Sequence, residues 1–363
     1  KHLLQRVLYA PRVENMVYAL QAQSNISVFA FYSRGKRAGE VVLNLRVDER
    51  PSFNYSIRAE NYGAEVTGKN RVVGELKHKG LLAAFDQASL ALLATQGEGD
   101  STYGFFSYRY PFASLNSEIE LGVGDTRYAL GDQLESLDTD GNSRTTQLTI
   151  KRKIGHSPQK NHSVSFTTFR KESSLETGIE AFQSGINLDE ESSGGKLAWQ
   201  GSLSNRKNYW KFAYGASYTS GRYDSISLDD ELSEERISEA FDKFEYYVFV
   251  SSLIGDKHRF AIEPKLYVRG QRAGEVSLPG LESFGLSGIY GVRSAATGSA
   301  SADSGMLQSL ELHFPNALTK TVNKHPLNLT PYLFLDNGSG ETIIDENTTL
   351  DLDELEGYGI GLN

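Results

Sequence analysis

Residues 260–269 read Phe-Ala-Ile-Glu-Pro-Lys-Leu-Tyr-Val-Arg, with an apolar side chain at every second position. Because successive side chains of a β-strand point to opposite faces, this period of two predicts a strand with one apolar and one polar face. The polar face would carry Glu263, Lys265 and Arg269 together, which suits a water-filled interior better than a dry sandwich core. The stretch therefore predicts an amphipathic strand whose charged face meets water.

The same alternation recurs from Pro51 onward in roughly fourteen runs, many of about ten residues. A soluble half-buried sheet also alternates, so a single run does not decide between fold classes. A run of about ten residues, however, is long enough for a tilted strand to cross a bilayer. The repetition therefore predicts an all-β transmembrane barrel over residues 52–363.

The connections between these runs also alternate in length. Short ones are predicted near Tyr62-Gly63, at 204–206 and at 255–257, and long polar ones at 130–142, 174–192, 221–240 and 271–304. Short periplasmic turns on one side and long external loops on the other are typical of outer-membrane barrels. The connections thus support the same fold class and predict an outer-membrane location.

Composition excludes several other classes of protein. The chain of 363 residues has 37 Lys and Arg against 46 Asp and Glu, a net charge of −9 that argues against a nucleic-acid partner. Cysteine is absent, which excludes disulfides, thiolate metal sites and cysteine nucleophiles. A mean hydropathy of −0.40 and the lack of a long apolar run argue against membrane helices.

No motif in the sequence predicts catalysis, a cofactor or a metal. The seven histidines are scattered without metal-ligand spacing. Residues 63–69 approach a phosphate-binding loop, but Asn70 stands where the magnesium-binding Ser or Thr belongs. The acidic stretches 138–142 and 351–354 leave calcium binding as an alternative, although such loops are more often only solvated. We therefore predict that the protein is not an enzyme.

Residues 1–48 differ from the rest of the chain. Val13, Met16, Val17 and Leu20 have helical spacing, and apolar runs at 26–31 and 41–47 predict two strands. Helix, strand, turn and strand within this length indicate an α+β module that lacks its beginning. Since the chain opens at Lys1 without a signal peptide, we expect a mature or excised form. On pattern alone, any small α/β fragment is an equal alternative.

The most specific motifs of the chain are 288–293 (Gly-Ile-Tyr-Gly-Val-Arg), followed by Asp303-Ser304-Gly305, and 334–338 (Phe-Leu-Asp-Asn-Gly). They resemble motifs of the two-partner secretion translocators (TpsB), a branch of the BamA barrel superfamily. The resemblance implies a barrel of about sixteen antiparallel strands with a long sixth loop, here about 271–304, that folds back into the lumen. It also implies that 1–48 is the C-terminal part of a periplasmic POTRA domain, and that a plug helix, a first POTRA domain and the last hairpin are missing from the sequence.

Within this resemblance, five residues form a candidate latch between the sixth loop and the barrel wall. They are Val292 and Arg293 at the loop tip and Phe334, Asp336 and Gly338 on the wall. Phe334 and Asp336 share one face of their strand, and the planar donor fork of Arg suits a fixed carboxylate. The alternative is a solvated loop arginine and an ordinary lumen carboxylate. Ser294 and Ala295 depart from the Gly and aromatic residue that usually follow in the family.

The resemblance implies a transporter that captures an unfolded exoprotein in the periplasm and passes it through the barrel to the cell surface. The expected partners are outer-membrane lipid and a secreted TpsA-type exoprotein, such as an adhesin, cytolysin, contact-dependent toxin or haem-binding protein. A barrel-assembly insertase is the alternative. A passive porin would explain the barrel, but neither residues 1–48 nor the paired motifs.

Overall fold

The computed structural model describes residues 9–23, 26–49, 51–83, 85–97, 99–112, 116–157, 159–179, 188–205, 209–228, 234–255, 261–315, 318–322, 325–345 and 348–363. It begins with one helix, α1 (Ala10–Gln23), and continues almost entirely as strands. The strands before the long sixth loop are β1 (Ile26–Arg34), β2 (Val41–Glu49), β3 (Phe53–Glu60), β4 (Asn70–Lys79), β5 (Gln87–Gln96), β6 (Asp100–Phe112), β7 (Ser117–Ala129), β8 (Thr139–His156), β9 (Lys160–Thr177), β10 (Leu188–Ser204), β11 (Trp210–Leu228), β12 (Glu234–Ser252), β13 (Ile254–Gly255) and β14 (Ala261–Ala273). Those that follow are β15 (Phe284–Gly285), β16 (Ser301–Ala302), β17 (Ser304–His313), β18 (Leu318–Val322), β19 (His325–Leu329), β20 (Pro331–Asp345), β21 (Thr348–Asp351) and β22 (Leu355–Leu362).

One antiparallel sheet of sixteen segments dominates the described residues, and it runs from β3 through successive neighbours to β20. Segment β13 continues β12 alongside β14, and β21 and β22 lie end to end along β20. The segments therefore occupy fourteen successive positions, in agreement with the roughly fourteen runs counted in the sequence. The predicted all-β, antiparallel architecture is confirmed.

The strands in the middle of the sheet are longer than the alternating pattern predicts. Strands β8 to β12 have 17 to 19 residues each, at about 3.3 Å per residue. The predictions of long loops at 174–192 and 221–240 were therefore wrong over much of their length, since β9 to β12 extend into both ranges. Backbone pairing can continue in water beyond the apolar band, because bilayer thickness sets only the minimum length of a strand.

The connection near Tyr62-Gly63 was also assigned to the wrong end of the sheet. Because successive strands alternate in direction, the connection 61–69 lies at the same end as the long connection 274–303. Thr297 Oγ1 in that long connection donates to the Tyr62 carbonyl at 3.2 Å. The turn at 80–86, which the sequence analysis missed, lies at the opposite end, where apolar Leu81 and Leu82 conceal the turn pattern. Residues 206 and 256–257 of the other two predicted turns lie outside the described residues.

Leu327, Leu329, Pro331, Leu333 and Leu335 are apolar at every second position, a row that predicts one strand, but the row belongs to two strands. Strand β19 pairs with β18 in a separate hairpin, and β20 starts only at Pro331. Between them, Thr330 and Asn363 exchange backbone N–H···O bonds of 2.7 and 3.0 Å. The prediction of one continuous strand was wrong because a period of two cannot register a change of partner strand.

One face of the large sheet carries exposed apolar side chains on strand after strand. They include Leu92, Phe106, Leu121, Ile150, Phe166, Leu197, Trp199, Phe244, Leu266, Leu310, Leu333 and Leu335. In water such a continuous apolar surface would be unfavourable, whereas an apolar band facing lipid is what a membrane strand requires. No helix in the described part of the chain is long and apolar enough to cross a membrane.

The N-terminal elements match the order predicted for residues 1–48. Strands β1 and β2 pair in antiparallel register from Ile26–Glu49 to Arg34–Val41. The helix α1 packs on β1, and Val13 and Val28 are both buried. The assignment of this segment to a POTRA domain stays a prediction.

Candidate functional site

The sixth loop, residues 274–303 between β14 and β17, doubles back on itself against the sheet. The part of the loop that leads from β14 to the tip, its outward limb, contains one 3₁₀ turn, Gly280–Glu282. Strands β15 and β16 then pair antiparallel, and the Leu286 N–H donates to the Ala300 carbonyl at 3.0 Å. The loop is thus a narrow hairpin with a defined tip.

Glycines shape that tip. Gly288 has a φ of +84°, in the left-handed region that side chains disfavour. A Cβ at Gly291 would lie only 2.3 Å from the Leu286 carbonyl oxygen. The Val292 N–H reaches the same oxygen at 2.8 Å. Gly288 and Gly291 therefore allow the tight turn that precedes Val292 and Arg293.

The Arg293 guanidinium binds the Asp336 carboxylate in a bidentate pair. Nε donates to Oδ2 at 2.7 Å, and Nη2 donates to Oδ1 at 2.6 Å. The Arg293 backbone N–H adds a third bond to Oδ2 at 3.1 Å. Asp336 is 1% exposed and the Arg293 side chain is 20% exposed, so this charge pair is largely shielded from water and less screened than a surface pair.

Three further groups complete the surroundings of the guanidinium. Nη1 donates to Glu311 Oε1 at 2.6 Å, and Nη2 donates to Ser309 Oγ at 3.0 Å. The Phe334 ring lies below it, with 3.8 Å between Cζ and the ring centroid, a cation–π contact. Desolvation lowers the pKa of Arg293, but the two carboxylates outweigh it and hold that pKa above its ordinary value.

Val292 and Gly338 allow the tip to approach the wall closely. Val292 is fully buried in an apolar cluster with Leu286 and Leu307. A Cβ at Gly338 would lie 3.0 Å from Val292 Cγ2, so any larger residue there would press on the tip. All five residues of the candidate latch therefore meet in one place. Their role as a latch stays a prediction.

Ser294, which departs from the family pattern after Arg293, fits its surroundings in the structure. Ser294 Oγ donates to the Glu356 carbonyl at 2.7 Å. A Cβ at Gly357 would lie 2.8 Å from Ser294 Oγ, so a small residue suits this position. The aromatic contact of the arginine comes from the wall, from Phe334.

Two residues around the arginine were missed by the sequence analysis. Ser309 and Glu311 lie on β17, which pairs with β20 so that Ser309 is opposite Asp336. Their alternation with Leu310 and Leu312 places both on one face of β17, but a period of two does not indicate the partner strand. A second cluster, around Glu282 near the base of the loop, was also missed because its partners come from distant strands.

Nothing in the described residues assembles a metal site. No group of three or more His, Asp or Glu side chains is placed to hold an ion there, including at 138–142 and 351–354. The loop contacts are ion pairs and hydrogen bonds between protein groups. Such contacts can hold or release a segment of chain.

Comparison with known proteins gives the fold and the family. The chain is 23% identical over 330 residues to the heme/hemopexin transporter protein HuxB of Haemophilus influenzae (strain 86-028NP), covering 85% of this chain and 52% of the relative. It thus spans about half the length of the curated relative it matches.

Two solved structures share its fold. CdiB from Escherichia coli matches with a TM-score of 0.73 at 14% identity, over 99% of this chain and 65% of that one. CdiB from Acinetobacter baumannii matches with a TM-score of 0.69 at 17% identity, over 96% of this chain and 60% of that one. These likenesses confirm the predicted β-barrel fold.

The sequence places the chain within one family of outer-membrane barrels. The family model described as haemolysin secretion/activation protein ShlB/FhaC/HecB matches residues 39–363, nearly the whole length. This match confirms the predicted outer-membrane location and the resemblance to two-partner secretion translocators. The chain belongs to the haemolysin secretion/activation protein ShlB/FhaC/HecB family.

Proposed function

We propose that this barrel conducts an exported polypeptide across the outer membrane in two-partner secretion, with loop 274–303 as its gate. The observation that carries the proposal is the anchorage of Arg293 to Asp336 and Glu311 inside a barrel of this family. A passive pore has no need of a buried, bidentate ion pair on a folded-back loop. A gate needs such a contact, because it must close tightly and still be able to reopen.

Latching by Arg293 follows from the chemistry of its contacts. Four side-chain N–H···O bonds and an aromatic face surround one guanidinium, so a small displacement of the tip weakens all of them together. Breaking a buried pair also leaves Asp336 uncompensated, which opposes partial release. The latch would therefore have a closed and an open state with few stable positions between them.

Capture of the exported chain would take place at residues 1–48, as the end of a POTRA domain. Strand β2 pairs with β1 alone among the described residues, so its second edge can accept an added strand. Main-chain hydrogen bonds at such an edge give affinity without requiring one sequence. This mode suits an unfolded partner, which would be a TpsA-type exoprotein, whether adhesin, cytolysin, contact-dependent toxin or haem-binding protein. Folding of that partner outside the cell would drive its passage.

The test compares proteins in the culture supernatant and the outer membrane with and without the gene. We expect loss of one large secreted protein while other outer-membrane barrels remain unchanged. General depletion of outer-membrane barrels with an intact supernatant would contradict translocation and instead indicate a barrel-assembly insertase. Complementation with the full-length gene should restore the secreted protein.

A further inference from the structure

We infer that Glu282 is a second anchor of the sixth loop, which holds the base of the loop independently of the Arg293 latch at its tip. Glu282 lies in the 3₁₀ turn of the outward limb and is 2% exposed. The Glu282 carboxylate therefore needs compensating charges, because an unpaired buried carboxylate is strongly unfavourable.

The compensating charges come from the barrel wall. Lys171 on β9 lies 2.6 Å from Glu282 Oε1, and Lys243 on β12 lies 2.9 Å from Oε2. Ser192 on β10 donates to Oε1 at 3.1 Å. One loop carboxylate thus joins three strands that are not all neighbours. Burial raises the pKa of Glu282, but the two ammonium groups outweigh it and hold that pKa below its ordinary value.

The same wall residues also bind the backbone of the loop. Lys243 Nζ donates to the Glu282 carbonyl at 2.8 Å, and Lys171 Nζ donates to the Leu281 carbonyl at 3.1 Å. Gln271 Nε2 lies between the two limbs and donates to the carbonyls of Glu282 and Asp303, each at 3.0 Å. The base is therefore held by side-chain charge and by main-chain bonds at one position.

The two anchors use different parts of the wall and share no residue. The Arg293 latch binds β17 and β20, whereas the Glu282 anchor binds β9, β10 and β12, and β14 through Gln271. Contacts without common partners contribute nearly additively to stability. Loss of the tip latch therefore weakens docking of the tip and leaves the base docked in the barrel, so that both anchors must break before the whole loop can leave.

The test measures exposure of each end of the loop separately in the intact barrel. Because the chain has no cysteine, single Ser283→Cys and Ser287→Cys variants report the base and the tip through their reaction with a membrane-impermeant maleimide on whole cells. We expect Glu282→Gln to speed labelling at position 283 by about tenfold and at position 287 by less than about twofold. Asp336→Asn should show the reverse pattern.

A matched control removes another carboxylate from the same loop. Glu275 is exposed, and Glu275→Gln should leave both labelling rates unchanged. Lys171→Met tests the anchor from the wall side and should reproduce the effect of Glu282→Gln, even where that variant assembles poorly. Equal labelling at 283 in Glu282→Gln and Glu275→Gln would overturn the inference. A joint rise at both probes in each variant would overturn the independence of the anchors. The readout requires no exported partner, so it fails or succeeds separately from the proposed function.

Discussion

The tip and the base of the sixth loop are anchored with opposite polarity. At the tip the loop supplies the cation, Arg293, and the wall supplies two carboxylates, Asp336 and Glu311. At the base the loop supplies the carboxylate, Glu282, and the wall supplies two ammonium groups. Each anchor therefore contains one loop charge between two opposite wall charges.

The opposite polarity of the two anchors favours one position of the loop in the barrel. Complementary charges set register more than they add affinity, and a loop with a positive tip and a negative base cannot exchange the two sites. The anchors also differ in geometry. A planar guanidinium selects one orientation, while an ammonium group is a point charge that accepts several. We therefore expect the tip to define the closed state and the base to tether the loop.

A disulfide across the tip should have the largest effect on this comparison. In the double variant Arg293→Cys with Asp336→Cys, mild oxidation should join the loop to β20, since the chain has no other cysteine. Secretion of the partner should then stop and return after reduction, as measured by its amount in the medium. Each single variant under the same oxidant is the control. Absence of a crosslink would contradict the proximity of the two positions.

Removal of the arginine should have the next largest effect. Arg293→Ala leaves Asp336 and Glu311 together without a cation, which should cost roughly 3–5 kcal/mol of loop docking. We expect a marked rise in the open fraction of single-channel recordings. Arg293→Lys should lie between this variant and the wild type, because it keeps the charge and loses the bidentate fork. Arg272→Ala, at an exposed arginine of β14, is the matched control and should change little.

Crowding of the tip should have a smaller effect. Gly338→Val places a side chain against Val292 and should weaken docking by roughly 1–3 kcal/mol through overpacking. Gly74→Val, where a Cβ would meet nothing within 4 Å, is the control. Maleimide labelling of Ser287→Cys should distinguish the two variants. Equal rates in both would show that Gly338 does not limit the approach of the tip.

Lowering the pH should have the smallest effect of all, and this effect should act on the base of the loop. The docked pKa of Glu282 lies below its ordinary value of 4.5, so protons bind the undocked carboxylate more tightly. The anchor therefore contributes fully above pH 4.5 and is lost as pH falls through the docked pKa. In an Asp336→Asn background, channel opening should stay constant from about pH 5 to 8 and rise only in stronger acid. If channel opening showed the same pH dependence after Glu282→Gln is added, the response to acid would not come from Glu282.

Much of this protein was predictable from local pattern. Alternating apolar residues predicted the antiparallel sheet, because a period of two determines which face each side chain occupies. The pairing of the motifs at 288–293 and 334–338 was implied by the resemblance to a known family. The structure brings those residues together, and their role as a latch stays a prediction.

Other features were decided by the tertiary structure alone. The lengths of β8 to β12, the end of the sheet at which Tyr62 lies and the partners of Glu282 left no sequence signal. Lys171, Ser192 and Lys243 are ordinary polar residues of their strands until sheet order and register bring them to one loop carboxylate. Local sequence determines the face of a strand on which a side chain lies. What lies opposite depends on register and closure, which are set by contacts between strands far apart in the chain.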